Sequence, residues 1–355
     1  MQNTEVKSRF SGIKRVYESH YKKLLIIPFT LLLMAIVLIG LKVASTGDFI
    51  NRDVSLKGGV TITIHISQEV DILQLKEALS SKFPENDIST KLLSQFGTQV
   101  GVIVEADIEK EEVDVLIEEI GKALNLELTT KDYSVEIVGS SLGASFFKEI
   151  IRILIAAFLI MGAIVFLYFG PNVKLKIVAC SLSILGSLFV FANRGISSDI
   201  LALIFGIISI YIFIRWSIPS FAVILAALSD IVITLAIVNL LGIRLSTAGI
   251  AAFLMLIGYS VDTDILLSTR VLKRKEGTEM ERIYGAFKTG ITMSLTTLLA
   301  VSAALIFTES GVIKQIMIIL LIGLIVDLIN TWLQNAGILR LYLERKAKKS
   351  SYHEP

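Results

Sequence analysis

The feature that most constrains this chain is the recurrence of apolar runs long enough to cross a lipid bilayer. Residues Leu24–Val43 form one run of 20 residues, and from Glu149 onward the sequence is nearly all apolar. A helix of about 20 residues crosses a hydrocarbon core about 30 Å thick. Because backbone polar groups must be satisfied inside the membrane, such runs favour helices. The predicted spans are 24–43, 149–169, 174–192, 199–215, 218–241, 246–269, 289–307 and 312–339, about eight transmembrane helices.

The composition agrees with a polytopic α-helical membrane protein. The 355 residues are 54% hydrophobic, with a mean hydropathy of +0.72, far above soluble proteins. The first run is too long for a signal-peptide core, so we expect an uncleaved helix. Cys180 is the sole cysteine, which excludes an intrachain disulfide. The sequence has no P-loop, paired metal-ligand histidines or G-x-S-x-G motif, so we expect no enzyme activity, cofactor or metal.

The charges predict how the chain is oriented in the membrane. Residues 44–147 hold 18 Asp and Glu against 8 Lys and Arg, whereas positive residues elsewhere cluster beside the spans. Only the isolated Arg194 and Arg244 depart from the positive-inside rule. The rule predicts a multi-pass plasma-membrane protein, with the segments 1–23 and 342–355 in the cytoplasm and residues 44–147 outside. Because the membrane explains the basic residues, we expect no nucleic-acid partner.

Residues 44–147 are predicted to form a ferredoxin-like α+β domain. Val60, Ile62 and Ile64 alternate with polar residues along one strand, as in a half-buried sheet. Phe96-Gly97-Thr98 supplies a hairpin turn. His65 is expected to be a solvated side chain. The predicted elements are strands 59–66, 88–94, 99–105 and 133–139 and helices 71–82 and 110–124, in the ferredoxin-like order β-α-β-β-α-β.

Several ionisable or polar residues lie inside predicted spans. Asp262 and Asp264 share one span, Asp230 lies midway in another, and Asp327 and Asn330 lie midway in the last. A charged group at the bilayer centre costs at least about 2.5 kcal/mol, so such residues usually face a protein interior and carry function. We therefore treat the three aspartates 230, 262 and 264 as ion-coupling candidates. The alternatives are that the carboxyl groups are protonated, snorkel to the surface or only pair helices.

The two aspartates of one span are predicted to play different roles. Asp262 shares a helical face with Gly258, which allows a neighbouring helix to approach closely. Asp264 lies nearer the basic boundary, within reach of Arg270 or Lys273, and such a pair suits structure more than ion transfer. Together with Asp230, Asp262 is therefore the preferred coupling residue. Hydroxyls such as Thr289 open the following span, where interhelical hydrogen bonding is the simpler interpretation.

Four short segments occur in the order and spacing of a known family of membrane proteins. They are Asp53-Val-Ser-Leu-Lys-Gly58-Gly59-Val60, Val138-Gly-Ser-Ser-Leu-Gly143, Ala226-Ala-Leu-Ser-Asp230-Ile-Val-Ile-Thr234-Leu and Gly258-Tyr-Ser260-Val-Asp262. Together they resemble the SecF family, the smaller half of the SecD–SecF accessory complex of the Sec protein-export channel, in its archaeal type. The likeness covers most of residues 20–345.

This resemblance implies a fold and a set of partners. The family belongs to the RND superfamily, each half of which has one helix, an outer domain and five further helices. The resemblance implies a SecD-like subunit, the Sec translocon channel and an unfolded polypeptide substrate as partners, besides membrane lipids. It also implies that an ion gradient assists late steps of polypeptide export.

Three departures from the family pattern stand out. A half of an RND protein has six spans, whereas this chain has about eight. Residues 171–210 are therefore interpreted as an inserted helical hairpin. Because the hairpin crosses the membrane twice, it leaves the topology of the other helices unchanged. Thr263 occupies the position of the bacterial proton-carrying aspartate. Thr289, beside Lys288, replaces the arginine that follows in bacterial members.

Two other functions remain open from the sequence. An RND-type exporter of small molecules or lipids would need a large apolar cleft in the outer domain. The predicted compact ferredoxin-like fold, however, accounts for all of residues 44–147. A passive assembly factor would use its carboxylates only to pair helices.

Overall fold

A computed structural model describes residues 20–66, 68–95, 98–192, 196–274, 276–308 and 310–351. Two features singled out in the sequence, the turn residues Phe96 and Gly97 and the isolated Arg194, lie outside these ranges. The chain begins with helix α1 (Ile26–Thr46) and a single-turn helix α2 (Val54–Lys57) that leads into a small sheet. Asp53 caps α2, its side chain accepting a hydrogen bond from the backbone of Val54.

The small sheet carries two helices on one side. Its elements are β1 (Gly59–His65), α3 (Ile72–Lys82), β2 (Ile88–Gln95), β3 (Thr98–Ala106), a 3₁₀ turn (Lys110–Glu112), α4 (Val113–Leu124) and β4 (Tyr133–Val138). The strand order is β2-β3-β1-β4, and every neighbouring pair is antiparallel. This is the predicted ferredoxin-like arrangement, in which each helix returns the chain across one intervening strand.

The sheet and its helices enclose one hydrophobic core. Val60, Ile62 and Ile64 of β1 are buried, while Thr61 and Thr63 between them are half-buried, as the alternation predicted. The core is completed by residues of α3, β2, β3 and α4 and of the segment after β3: Leu75, Leu79, Ile88, Val102, Val104, Ala106, Ile108, Val113, Leu116 and Ile120. Because the helices fill the space above the strands, this domain has a packed interior.

The rest of the chain is a bundle of long apolar helices. They are α5 (Ser140–Phe169), α6 (Val173–Phe191), α7 (Ile196–Trp216), α8 (Ile218–Leu240), α9 (Thr247–Lys273), α10 (Glu279–Phe307), α11 (Gly311–Ile329), a π-helical segment (Asn330–Asn335) and α12 (Ala336–Ser351). Within the described ranges, seven helices are long and apolar enough to cross a membrane, the last running without a break through the π-helical segment. The remaining predicted span, 199–215, corresponds to a shorter apolar helix, Ile200–Trp216.

Two helices extend well beyond the predicted spans. α5 begins at Ser140 and α10 at Glu279, about nine or ten residues earlier than the apolar runs indicate. α10 starts at a capping box in which Thr278 accepts from the backbone of Glu281 and Glu281 accepts from that of Thr278. Caps and propensity set where a helix begins, whereas the membrane sets only its apolar part.

The helices α8 and α9 are the most buried of the described membrane helices, and α11 packs against both. By contrast, α6 and α7 lie at the side of the bundle. α6 packs on α5 and α7, where Phe189 stacks on Phe205 and Ser183 donates a hydrogen bond to Ser209 (3.3 Å). That these two helices are an insertion stays a prediction.

Candidate functional site

Three neighbouring helices bring three aspartates together in the interior of the bundle. Asp230 of α8 and Asp264 of α9 are 0% exposed, and Asp327 of α11 is 1% exposed. The three carboxyl groups all accept hydrogen bonds from one short segment, residues 330–335, and so lie near one another. Like charges at such range repel strongly in a low-dielectric interior, so the arrangement needs protons, hydrogen-bond donors or a cation.

Asp230 is held between two neighbouring helices. The Ser260 hydroxyl on α9 donates to its Oδ2 at 2.6 Å, and the Asn330 side-chain amide donates to its Oδ1 at 2.7 Å. Ser260 belongs to the segment Gly258-Tyr-Ser260-Val-Asp262, so two of the four motif segments meet at this carboxylate. Both donors are buried, which makes them costly to lose.

The carboxylates of Asp264 and Asp327 accept hydrogen bonds from residues of the π-helical segment Asn330–Asn335. The Asn335 side-chain amide donates to Asp264 Oδ1 at 2.8 Å, and the Thr331 hydroxyl donates to Asp327 Oδ1 at 3.0 Å. A further amide, that of Gln334, donates to Ser229 on α8 at 3.1 Å. The polar groups that surround the three carboxylates are therefore neutral.

The π-helical segment Asn330–Asn335 places these neutral groups. A π-helical turn holds an extra residue, so side chains four and five positions apart fall on one side of the helix. Four of its six side chains, those of Asn330, Thr331, Gln334 and Asn335, are polar and fully buried. Such local departures from α-helix are frequent at functional sites. We call these four residues and the three aspartates the buried polar centre.

No described cation pairs with the buried polar centre. Arg270 donates instead to the backbone carbonyl of Gly285, and the Lys273 ammonium lies 3.5 Å from the centre of the Tyr168 ring. The expected pairing of Asp264 with Arg270 or Lys273 is therefore wrong. The turn of α9 points Asp264 into the bundle, whereas the two longer side chains reach outward from its end.

Asp262, the residue preferred from the sequence, lies on the opposite side of α9. Its side chain is exposed, and it makes no hydrogen bond or ion pair with any described residue. Gly258 lies on the same exposed face, with open space around it. Successive helical residues turn by about 100°, so the two neighbouring aspartates point apart, as expected. The aspartate of α9 that lies in the interior of the bundle is consequently Asp264.

The two threonines that mark the departures from the family pattern do not reach the carboxylates. Thr263 is buried and its hydroxyl donates to the carbonyl of Tyr259, one turn earlier (3.3 Å). Thr289 likewise donates to the carbonyl of Gly285 in its own helix (3.3 Å). Both hydroxyls are satisfied locally, so their contribution is to packing between α9 and α10.

Thr331, Gln334 and Asn335 are not among the residues predicted from the sequence. The sequence carries a signal for them, since Asn330-Thr-Trp-Leu-Gln-Asn335 is a polar run inside an otherwise apolar segment. An α-helix already places residues four apart on one side, and the π-helical turn also brings Asn330 and Asn335, five positions apart, close together on that side.

The sheet domain is tied to the loop that joins α8 and α9. The backbone of Leu245 donates to Asn51 (2.7 Å), and that of Asp53 donates back to Leu245 (2.9 Å). Arg244 pairs with Asp87 of the sheet domain at 2.6 Å. Gln315, at the start of α11, donates to the carbonyl of Arg244. One short loop thus contacts the sheet domain and connects the helices that carry Asp230 and Asp264.

A second charged group lies where the sheet faces this loop. Glu105 of β3 is 5% exposed and pairs with Lys91 of β2 at 2.5 Å. Asp53 lies 4.0 Å from the same ammonium group. Burial raises the pKa of Glu105, while the Lys91 charge opposes that shift. Glu105, Lys91 and Asp53 therefore form a charged group between β2, β3 and the start of α2.

The chain is similar to protein-export membrane proteins over most of its length. A family model described as the C-terminal part of the protein-export membrane proteins SecD and SecF matches residues 188–345. The chain is 35% identical to the protein-export membrane protein SecF of Methanocaldococcus jannaschii, over 93% of this chain and 98% of that protein. It is 33% identical to SecF of Pyrococcus furiosus, over 95% and 96% of the two chains.

A solved structure has a similar fold. The crystal structure of SecDF, a translocon-associated membrane protein from Thermus thermophilus, matches 92% of this chain with a TM-score of 0.58 and 17% sequence identity. The match takes up 38% of the SecDF chain. The fold and the buried centre define a polytopic helical membrane protein with a small α+β domain. With relatives of this identity along nearly the whole chain, the protein belongs to the SecF family of protein-export membrane proteins.

Proposed function

We propose that this chain is a protein-export subunit in which ion binding at the buried polar centre drives movement of the sheet domain. The observation that carries the proposal is the burial of Asp230, Asp264 and Asp327 among neutral donors. An isolated carboxylate in a membrane interior is costly and normally carries function. Three that face one another form a centre whose charge changes when an ion enters or leaves.

The connection between the centre and the sheet domain supports coupling. α8 and α9 carry Asp230 and Asp264, and their joining loop makes the backbone bonds to Asn51 and Asp53. A change in the distance between the two helices would therefore move the base of the sheet domain directly. In this proposal the domain, residues 44–147, faces outside and holds the emerging unfolded polypeptide beside the Sec translocon channel.

A SecD-like subunit is the proposed partner for an exposed polar strip of the bundle. Gly258 and Asp262 on α9 and Lys288, Thr292 and Thr296 on α10 are exposed at membrane depth or near it. Charged and hydroxyl groups facing lipid are unfavourable, so a second protein surface is the natural cover. The larger SecDF chain, of which this fold matches 38%, is consistent with a second half that covers the first.

The proposed orientation follows the positive-inside rule. The basic segments at 1–23 and 342–355 face the cytoplasm of a cell whose plasma membrane holds the chain. We further infer that the chain acts in transport and carries no catalytic group of its own. Its relatives are named as protein-export membrane proteins.

Export by vesicles with an imposed ion gradient tests the proposal. We expect Asp230→Asn to abolish gradient-dependent export, because the amide cannot change charge. Asp262→Asn should retain gradient dependence, since that side chain lies outside the buried polar centre. A blue-native gel of each variant monitors assembly with the SecD-like subunit.

The variants Asp230→Asn and Asp262→Asn together distinguish the proposal from its alternatives. Full gradient-dependent export by assembled Asp230→Asn would contradict the proposal. Loss of gradient dependence in Asp262→Asn alone, with assembly intact, would move the coupling residue to the exposed face. Loss of assembly in Asp230→Asn would favour a passive assembly factor.

A small-molecule or lipid exporter is less well supported. Such a protein needs a large apolar cleft, whereas the interior of the sheet domain is filled by its own side chains. A surface depression of about 770 Å³ on this domain is bordered by Asp114, Glu118 and Lys122. Its lining mixes these charged residues with Ile117, Leu126 and Leu128, so it is not the large apolar cleft that such a cargo needs.

A further inference from the structure

We propose that the turn between α5 and α6 forms a binding site for the phosphate headgroup of an anionic membrane lipid. Its cationic groups are Lys176 of α6, Arg215 of α7 and Lys273 of α9, which we call the basic cluster. The bound lipid holds the ends of α6 and α7, the two helices at the side of the bundle, against the rest of the molecule. The site is separate from the buried polar centre and does not depend on ion coupling.

Two cations of the basic cluster lie against the last residues of α5. The Lys273 ammonium lies 3.5 Å from the centre of the Tyr168 ring and 5.8 Å from the centre of the Phe169 ring. The Lys176 side chain passes beside Gly170, since a Cβ added to that glycine would lie 3.1 Å from Lys176 Cγ. Lysines that are nearly 100 positions apart in the sequence therefore meet at one short turn.

The third cation stands at the end of α7. Ser217, which directly follows α7, donates to the backbone carbonyl of Phe169 at 3.3 Å. This hydrogen bond brings the last residues of α7 to the same turn. The Arg215 side chain is exposed, and its guanidinium lies 5.9 Å from the centre of the Trp216 ring. Three helices thus each contribute one cation close to the end of α5.

The basic cluster has no carboxylate partner in the part of the chain that the structure describes. None of the ion pairs among the described residues involves Lys176, Arg215 or Lys273. Between positions 150 and 229 the sequence has a single acidic residue, Asp199, which lies near the opposite end of α7. Because like charges held close together repel one another, a bound anion stabilises this arrangement.

The start of α6 adds to the positive potential at the turn. Lys174 and Lys176 both lie in its first turn, which contains no acidic residue. The side chain of Asn172, at the N-cap position, forms no capping hydrogen bond. A helix N-terminus carries a partial positive charge, so lysines beside it are unfavourable unless an anion is bound. The helix and the basic cluster therefore favour the same kind of ligand.

The aromatic rings place the basic cluster at the level of the lipid headgroups. Tyr168 and Trp216 lie at the ends of two apolar helices and are 43% and 42% exposed. Exposed tyrosine and tryptophan at such positions mark the boundary between membrane and water. The anions that cations meet at this depth are lipid phosphates, and basic pockets between membrane helices bind such headgroups. A lysine ammonium that lies on a ring keeps N–H donors for a phosphate oxygen.

Native mass spectrometry of the purified full-length chain, titrated with phosphatidylglycerol or phosphatidylcholine of equal chain length, tests the proposal. We expect the chain to retain one phosphatidylglycerol more tightly than phosphatidylcholine. Lys176→Gln combined with Lys273→Gln should weaken this retention about 30-fold, because each basic residue near the headgroups contributes about fivefold. Arg345→Gln combined with Lys346→Gln, which removes two exposed charges from α12, is the matched control and should leave the retention unchanged.

Thermal unfolding gives an independent measurement on the same variants. Phosphatidylglycerol should raise the unfolding temperature of the wild type and of the α12 control, because a ligand that binds only the folded state stabilises it. The combined glutamine variant should unfold cooperatively without this rise. Lys176→Arg with Lys273→Arg keeps both charges and should keep the effect of the lipid.

Several results would overturn the assignment. Wild-type retention of phosphatidylglycerol by the combined glutamine variant is one, and an equal loss in the α12 control is another, since it would mean that the lipid responds only to total charge. Stabilisation by inorganic phosphate as large as that by the lipid would mean a site for free anions. Normal lipid retention with lost assembly to the SecD-like subunit would make the basic cluster a protein contact instead.

Discussion

Individual buried hydroxyl groups on α9 contribute differently to the stability of the folded protein. Ser260 and Ser268 lie eight positions apart on α9, and both are buried. The Ser260 hydroxyl donates to Asp230 at 2.6 Å, whereas the Ser268 hydroxyl has no partner within the described residues. A hydrogen bond to a charged buried group contributes about 1.5–3 kcal/mol, while an unpartnered hydroxyl contributes nothing favourable. Two serines of one helix should therefore respond differently to the same substitution.

We expect Ser260→Ala to lower the stability of the purified protein by about 1.5–3 kcal/mol, because it leaves a lone pair of Asp230 unmet. Ser268→Ala should be neutral or slightly stabilising. Thermal unfolding of both variants in one detergent measures the difference. Equal destabilisation by the two substitutions would mean that the Ser260–Asp230 hydrogen bond adds nothing measurable to the stability of the protein.

At the scale of elements, the junction between α2, β1 and α5 is closely packed. Gly58 and Gly59 have φ of +94° and +127°, in the region that favours glycine. A Cβ on Gly58 would lie 2.4 Å from the Cα of Ser140 on α5. Gly143, one turn further along α5, faces the backbone of Gly58 in turn. Two motif segments distant in sequence therefore meet at this backbone contact.

Gly58→Ala should destabilise this junction by more than about 1 kcal/mol, because both the backbone conformation and the contact with Ser140 exclude a methyl group. Gly139→Ala is a matched control, since Gly139 lies at the same junction with open space around it. Limited proteolysis of the connection between the sheet domain and α5 reports the loosening. Resistance equal to wild type in Gly58→Ala would contradict the contact.

At the scale of the whole molecule, the pair Arg244–Asp87 joins the sheet domain to the bundle and biases their relative orientation. The 2.6 Å contact joins the α8–α9 loop to the residue before β2. The Arg244 side chain is 19% exposed and that of Asp87 is 50% exposed. A pair of this exposure contributes about 1 kcal/mol or less, enough to bias an orientation without locking it.

We expect Arg244→Ala to broaden the distribution of distances between nitroxide labels at Glu136 and Leu240, in a Cys180→Ser background. Pulsed electron spin resonance on the purified chain measures this distribution. The exchange of both charges, Arg244→Asp with Asp87→Arg, should restore a narrow distribution. Lys82→Ala, which removes a contact of 3.9 Å within the sheet domain, is the control that should leave it unchanged. An unchanged distribution in Arg244→Ala would mean that the backbone bonds of Leu245 hold the domain alone.

The sequence by itself determined the class of the molecule. Apolar runs of helical length predicted the membrane helices, because a bilayer requires that length of any helix that crosses it. The alternation in β1 and the order of the elements predicted the ferredoxin-like sheet, because a half-buried strand must alternate. The burial of Asp230, Asp327 and Asn330 was likewise foreseen from their depth in apolar segments. Each of these features depends on neighbours along the chain or on the solvent around it.

Which aspartate of α9 lies in the interior with Asp230 follows from tertiary packing alone. Asp262 and Asp264 have similar sequence surroundings, and their difference comes from how α9 is rotated against α8 and α11. That rotation depends on the packing of residues far apart in the sequence, such as the bond from Ser260 to Asp230. The π-helical segment is a second case, because the extra residue in one turn brings Asn330 and Asn335, five positions apart, to the carboxylates of Asp230 and Asp264. Periodicity along one helix cannot reveal which side its neighbours will cover, since that choice belongs to the packed bundle.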